Sequence, residues 1–376
     1  MTKTAIVHEW LTGYAGAERV LEEILKLYPD ADIFSLVDFI PEGKRGFLMN
    51  KKVKTSFIQR LPMAQKKYRS YLPFFPTAAE SFDLSGYDLV ISIAHCVAKG
   101  VRTGPGQKHL CLCCTPVRYA WDLRGQYLQE AGLDKGIKGI AANRILDYVK
   151  DWDLKTAGRP DAIASISEYV RERVKRIWGR DSDIVYPPVD TEYYSPDGSP
   201  RGDFYLAASR MVPYKRIDML AKSFSLMPDK KLVIIGDGPD YEKVKAAAGP
   251  NVTLLGYKGN EVLRDHMRRA KAFLFAAEED FGIMPLEAQA CGTPVIAFGK
   301  GGSLETIKGF MPGSAPAVES TGVFFPEQTP EAVASAVSAS EGLHVTADAC
   351  RANALRFSEE NFHRSFSDFV KRNTAA

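Results

Sequence analysis

Two glutamates, Glu279 and Glu287, stand eight residues apart in the stretch EEDFGIMPLEAQACG, residues 278–292. A carboxylate pair can serve as acid and base, or as acid and nucleophile, when the two groups face each other. On one continuous helix these two would lie ~12 Å apart along the axis and ~80° out of phase, so they would not meet. Pro285 suits the first turn of a helix, where a missing N–H costs little, so a helix is expected to begin near Met284 and to stop at Gly292. Glu287 then falls in the first turn, and Glu279 in a loop that follows the apolar run AFLFA, residues 272–276. That loop can fold Glu279 over a helix end whose free N–H groups suit phosphate or sugar oxygens.

Other candidates also follow strand-like runs. After DFYLAAS comes RMVPYKR, which puts Arg210 and Lys215 in a loop, and after KLVIIG comes DGP, with Gly236 and Gly238. Two cations facing an anion-binding helix end would clamp a diphosphate, whereas the plain alternative is solvated surface charge, the usual state of Lys and Arg. Near the start, GYAGAER carries Gly13 and Gly16, which let a backbone loop approach a ligand before a helix begins near Ala17. The GDG turn lacks the third glycine of a dinucleotide fingerprint and the next strand ends without an acid for a ribose hydroxyl, which argues against hydride transfer. The acid pairs DWD at 151 and DSD at 181 read as surface carboxylates.

The elements that would hold these residues alternate. TAIVH, ADIFSLV, YDLVISIA, HLCLC and AIASI are short apolar runs separated by amphipathic stretches, the pattern of parallel strands with helical crossovers. VYPPVDTEYYSPDGSP, residues 185–200, breaks the pattern and reads as a linker. It then restarts with DFYLAAS, KLVIIGDG, NVTLLGY, AFLFAAEE and TPVIAFG. Phenylalanines at 357, 362, 366 and 369 approach helical spacing and predict a helix packing its stripe on one domain. The expectation is an N-terminal domain over 1–197, a second domain over 198–356 and a helix over 357–376. Two doubly wound domains of this kind place a cleft at the carboxyl ends of their strands.

The chain has 376 residues, 45% hydrophobic and 25% charged, the balance of a soluble globular protein rather than a disordered or fibrous one. No secretory leader or bilayer-length apolar run is visible, so a cytoplasmic setting is expected. Six cysteines, three of them crowded at 111, 113 and 114, fit reduced thiols; Cys111 and Cys114 have the spacing of half a zinc site, but no second pair accompanies them. The net charge is +3, yet residues 44–79 hold nine Lys and Arg and no acid, with Phe47, Phe57, Tyr68, Tyr71, Phe74 and Phe75 interleaved. Such a surface suits anionic lipid headgroups or a diphosphate-linked lipid; a solvated helical face over ordinary core aromatics reads equally well. Nucleic acid is the least favoured partner, because no recognised binding motif accompanies the segment.

SRMVPYKR, VIIGDGP, LLGY and EEDFGIMPLEAQACGTPVIAFGKGGSLET, in that order, resemble the retaining family-4 glycosyltransferases of the GT-B fold, whose signature is two glutamates separated by seven residues. GYAGAERV, TPVRYAWD and ASISEYVRERV in the first half are similar to the same family. The resemblance implies two Rossmann-like domains, an acceptor-binding one and a nucleotide-sugar-binding one. It implies that Glu279 contacts the donor sugar near the reacting carbon, that Phe281, Gly282, Ile283 and Met284 hold sugar and phosphate oxygens largely through backbone N–H groups, and that Glu287 accepts from the ribose. Arg210 and Lys215 would neutralise the leaving diphosphate, Gly236, Tyr257 and Lys258 would lie near the base, and Gly13 and Gly16 would floor the acceptor side. No cofactor and no metal are implied, only the nucleotide-sugar donor as substrate.

One position departs from the pattern. The family often has a histidine directly before the TP of TPVRYAWD, and this chain has Cys114, a weak hydrogen bonder. His95, after the strand-like LVISIA, could cover the missing role or be a structural histidine. The implied function is transfer of a hexose, mannose from GDP-mannose as the leading donor, to a lipid-linked saccharide in surface polysaccharide assembly, by a metal-independent enzyme at the inner face of the cytoplasmic membrane. The alternatives are a UDP-sugar-dependent transferase of the same fold and a nucleotide-sugar epimerase. A hydrolase would have no use for the Arg210 and Lys215 clamp.

Overall fold

The structure, a computed structural model, describes residues 2–130, 132–314, 319–342 and 345–375. The chain falls into two compact units, Met1–Pro188 with Phe362–Ala376, and Val189–Asn361. The first contains β1 (Thr4–His8), β2 (Asp32–Ser35), β3 (Val53–Thr55), β4 (Leu89–Ala94), β5 (Lys108–Cys113), β6 (Ala162–Ser165) and β7 (Asp183–Ile184). The second contains β8 (Tyr205–Ala208), β9 (Leu232–Ile235), β10 (Val252–Leu254), β11 (Phe273–Phe275), β12 (Val295–Phe298), β13 (Gly309–Phe310) and β14 (Gly322–Phe325).

Each set forms a parallel sheet, ordered β3-β2-β1-β4-β5-β6-β7 in the first unit and β10-β9-β8-β11-β12-β14-β13 in the second. Strands covered on both faces must be buried along their length, and β1, β4, β8, β11, β12 and β14 are, whereas the edge strands β3, β7 and β10 are partly exposed. In the second unit the alternation is explicit: Tyr205, Ala207, Leu274 and Ile296 enter one hydrophobic layer, while Leu206, Ala208, Phe273 and Val295 enter the other. In both sheets the strand order reverses beside the first strand, between β1 and β4 and between β8 and β11. At such a reversal the connections leave toward opposite faces and open a crevice at the strands' carboxyl ends.

Phe362, Phe366 and Phe369 are buried along the helix Glu359–Thr374, with Phe366 edge-on to Tyr28 at 6.5 Å. His363 Nε2 lies 2.8 Å from Glu23 Oε2 in the same unit. Phe357 stands outside this helix and packs instead on Phe281 in the second unit, with ring centroids 5.6 Å apart. The reading of DWD as surface acids is corrected at one position. Asp153 is fully buried, 3.0 Å from the Nζ of equally buried Lys99, and accepts from the indoles of Trp121 and Trp178. Asp151, Asp181 and Asp183 are exposed.

Candidate active site

In the second unit the loop after β11 turns into a helix at Gly282, whose φ of +92° suits a residue without Cβ. The helix runs Ile283–Ala290. Pro285 therefore occupies its third position and Glu287 its fifth, so Glu287 lies in the second turn rather than the first. Proline is tolerated throughout the first turn, because none of those N–H groups has a partner within the helix. Side chains on a helix lean toward its N-terminus, which keeps the buried Glu287 directed at the same end. The Phe281 ring is in the core against Phe357, Gly282 is buried, and Ile283 and Met284 are half-buried.

Glu279, in this loop, is ion-paired with Lys215, which ends the short turn Pro213–Lys215 after β8; both side chains are largely buried. The Lys215 ammonium also lies 5.2 Å from the Tyr214 ring and 5.9 Å from Phe275. Arg210, at the carboxyl end of the same strand, is exposed and has no ion-pair partner among the described residues. The clamp pair and Glu279 thus sit at the β8/β11 reversal.

Gly236 and Gly238 have a structural requirement. A Cβ at Gly236 would lie 1.9 Å from the Ser209 carbonyl oxygen, and one at Gly238 would lie 2.4 Å from that of Met211. Close approach lets the Gly236 N–H reach Gly256 O and the Met211 N–H reach Asp237 O, both at 2.9 Å, tying the Arg210 loop to the ends of β9 and β10. Tyr257 and Lys258, just beyond β10, are solvent-exposed.

In the first unit the reversal lies between β1 and β4. Glu9, fully buried at the end of β1, accepts four backbone N–H groups beyond β4, from His95 (3.1 Å), Cys96 (2.7 Å), Val97 (2.9 Å) and Ala98 (2.9 Å). His95 packs T-shaped on Trp10 with ring centroids 4.6 Å apart. Burial pushes its imidazole pKa below the usual value, Glu9 opposes that, and the charges of His8 and Arg69 add to it. The Cys114 N–H donates to Ala94 O at 2.8 Å, so Cys114 and His95 lie at neighbouring strand ends. Gly13 lies in the exposed loop after β1 with open space where a Cβ would be, and Gly16 is the first residue of the helix Gly16–Leu27. Glu18 fixes that loop: it accepts from Ala15 N–H at 3.0 Å and faces His8 Nε2 at 3.3 Å. Burial raises its pKa, but the hydrogen bond and charge of His8 outweigh this and leave it lowered.

The basic segment divides. Arg45 pairs with Asp38 at 2.9 Å and Lys54 with Asp32 at 3.1 Å, whereas Arg60, Lys66, Lys67 and Arg69 are exposed. Phe47, Tyr68 and Phe75 are buried, and Phe57, Met63 and Phe74 are exposed. The segment folds as short turns, including Phe57–Arg60, Ala64–Lys67 and Tyr68–Phe74, rather than as one helical face.

Several residues that build these sites were not singled out from the sequence. Gly301 and Gly302 prop the Glu279 loop: a Cβ on Gly302 would lie 2.4 Å from Phe281 Cα, and the Gly302 N–H donates to Glu279 O at 2.9 Å. His8, Glu9 and Trp10 form the β1 side. The signal was available in both places, since His8 ends β1 with Glu9 and Trp10 next to it, and Gly301 and Gly302 lie in the loop after β12. Among the described residues no three His, Cys, Asp or Glu side chains are grouped so as to hold a metal ion.

Residues 203–340 match the family model described as "Glycosyl transferases group 1". The chain is 30% identical over 177 residues to a GDP-mannose-dependent alpha-(1-6)-phosphatidylinositol monomannoside mannosyltransferase of Mycolicibacterium smegmatis, a match covering 39% of this chain and 46% of that protein. It is 27% identical over 191 residues to a D-inositol 3-phosphate glycosyltransferase of Mycobacteroides abscessus, covering 45% of this chain and 41% of the relative. The matches thus span less than half the length of these relatives. Among solved structures, a sucrose-phosphate synthase of Thermosynechococcus elongatus superposes with a TM-score of 0.72 at 17% identity, covering 98% of this chain and 99% of that one. Anabaena Alr3699/HepE in complex with UDP does so with 0.66 at 16%, covering 98% and 100%. With its two parallel seven-stranded sheets, the chain has the GT-B architecture of these structures.

Proposed function

We propose that this protein is a retaining glycosyltransferase that moves a hexose, mannose from GDP-mannose in the leading reading, onto a lipid-linked saccharide acceptor. The observation that carries the reading is the convergence of Lys215, Glu279 and the N-terminus of the helix Ile283–Ala290 at the β8/β11 reversal, with Arg210 on the same strand end. Cleaving the bond between the anomeric carbon and the phosphate oxygen builds positive charge on the sugar and negative charge on the departing diphosphate. Arg210, Lys215 and the free N–H groups of the helix end oppose that negative charge more strongly in the transition state than in the bound donor. The donor's diphosphate takes Lys215 from Glu279, freeing the carboxylate to orient the sugar, while Glu287 accepts from the ribose hydroxyls. Attack comes from the face the diphosphate leaves, which retains configuration, and the phosphate takes the acceptor proton. Metal independence follows if the two cations supply the charge.

The choice of mannose is supported by the GDP-mannose dependence in the name of the mycobacterial relative. Placement at an anionic membrane surface is supported by exposed Phe57, Met63 and Phe74 among Arg60, Lys66 and Lys67. No helix among the described residues is long and apolar enough to cross a membrane. Incubation with GDP-mannose, UDP-glucose or a dTDP-sugar and a lipid extract, with EDTA present, tests the reading. GDP release from GDP-mannose only when lipid is added is the expected result. Release without acceptor would mean hydrolysis, and release only from a UDP-sugar would replace the donor.

A further inference from the structure

In the first unit the end of β1, the end of β4 and the basic segment meet in one aromatic cluster. Trp10 is its centre, with ring centroids 4.6 Å from His95, 5.6 Å from Tyr68 and 6.0 Å from Phe75. The Arg69 guanidinium carbon lies 5.4 Å from the centre of the Tyr68 ring, and its Nε–H donates to the Tyr68 hydroxyl at 3.1 Å. That bond holds the fork at its Nε beside the ring, and its terminal N–H groups have no protein partner among the described residues. A planar fork held in this way matches two oxygens of a phosphate.

The surroundings favour an anion. Residues 44–79 contain no carboxylate, and the two carboxylates that act on His95 are already engaged, Glu9 by four backbone N–H groups and Glu18 by the Ala15 N–H and His8. The half-buried Trp10 beside His95 offers a ring face and a ring nitrogen, the groups that hold the C–H face and a hydroxyl of a sugar.

We infer that Trp10, His95, Tyr68 and Arg69 form a subsite for a phosphate-bearing acceptor, the sugar packed at Trp10 and His95 and its diphosphate held by Arg69. This rests on the transferase reading and gives its acceptor a chemical class, a saccharide joined to a lipid through phosphate. It also gives the basic segment a specific task apart from attraction to a membrane.

Tryptophan fluorescence of the full chain tests it, with a saturating nucleoside diphosphate present to occupy the second unit. The probes are geranyl diphosphate, geraniol, inorganic pyrophosphate and phosphatidylglycerol vesicles. Geranyl diphosphate is expected to bind at least ~10-fold more tightly than geraniol, and Arg69→Gln to weaken it ~10-fold, the loss of one charge-assisted contact. Arg60→Gln, an exposed cation of the same segment, is expected to change it less than about twofold. Pyrophosphate binding that also depends on Arg69 supports a phosphate subsite. Equal loss in the two variants, unchanged affinity in Arg69→Gln, or Arg69-dependent binding of vesicles without geranyl diphosphate binding would overturn the assignment. If no nucleoside diphosphate or nucleotide sugar shifts the melting temperature while Arg69-dependent binding persists, the transferase reading fails and the subsite stands.

Discussion

At the scale of single residues, Lys215 carries two partners in turn, Glu279 in the free protein and the diphosphate in the proposed reaction. Lys215→Ala should therefore lower turnover by ~10²-fold or more, as removal of a charge-stabilising donor does. Steady-state rates within a factor of about three of the parent would remove Lys215 from the transition state. The positions of Arg210, Lys215 and Glu279 were readable from the sequence because each follows an apolar run closely. The turn occupied by Glu287 was not, since Pro285 fits any place in a helix's first turn and only the left-handed Gly282 sets the start. Asp153 was misread for a different reason. Its burial depends on Lys99 and on Trp178, residues distant along the chain that local pattern cannot bring together.

At the scale of elements, the β–α alternation made most of both sheets legible, because a strand covered on two faces must be apolar along its length and a crossover must be amphipathic, but it did not mark β13 or β14. The segment 44–79 resisted the same treatment. Its short turns have no period, so nothing in the sequence said that Phe57 and Phe74 would be exposed while Tyr68 and Phe75 would be buried. The exposed set gives a test of membrane placement. Replacing Phe57, Met63 and Phe74 by serine together should reduce co-sedimentation with phosphatidylglycerol vesicles several-fold at low salt while leaving nucleotide binding intact. Equal sedimentation with neutral vesicles, or no loss in the triple variant, would reject that placement.

At the scale of the whole molecule, acid sensitivity has an identifiable source in the first sheet. His109 on β5 is fully buried, its Nε2 is 2.9 Å from Ser92 Oγ, and burial, partly opposed by Asp161, pushes its pKa down to about 3. Between pH ~6.5 and 3 the unfolded chain binds this proton and the folded chain does not, so stability is full above pH ~6.5 and falls as the pH drops. From pH 7 to pH 5 the loss attributable to His109 should be roughly 2 kcal/mol. Urea unfolding at both pH values, compared with His109→Asn, measures it; an equal loss in the variant would assign the sensitivity elsewhere.

The helix Glu359–Thr374 lies after the second unit in the chain, yet Phe362, Phe366 and Phe369 complete the first. On the ribosome the order of completion is therefore inverted. Residues 189–361 can close their core while the first unit, translated earlier, still waits with the Tyr28 surface uncovered. The first unit thus has its longest exposure to chaperones and to other nascent chains during synthesis of the second, and a release factor acting early near codon 361 would leave it permanently open.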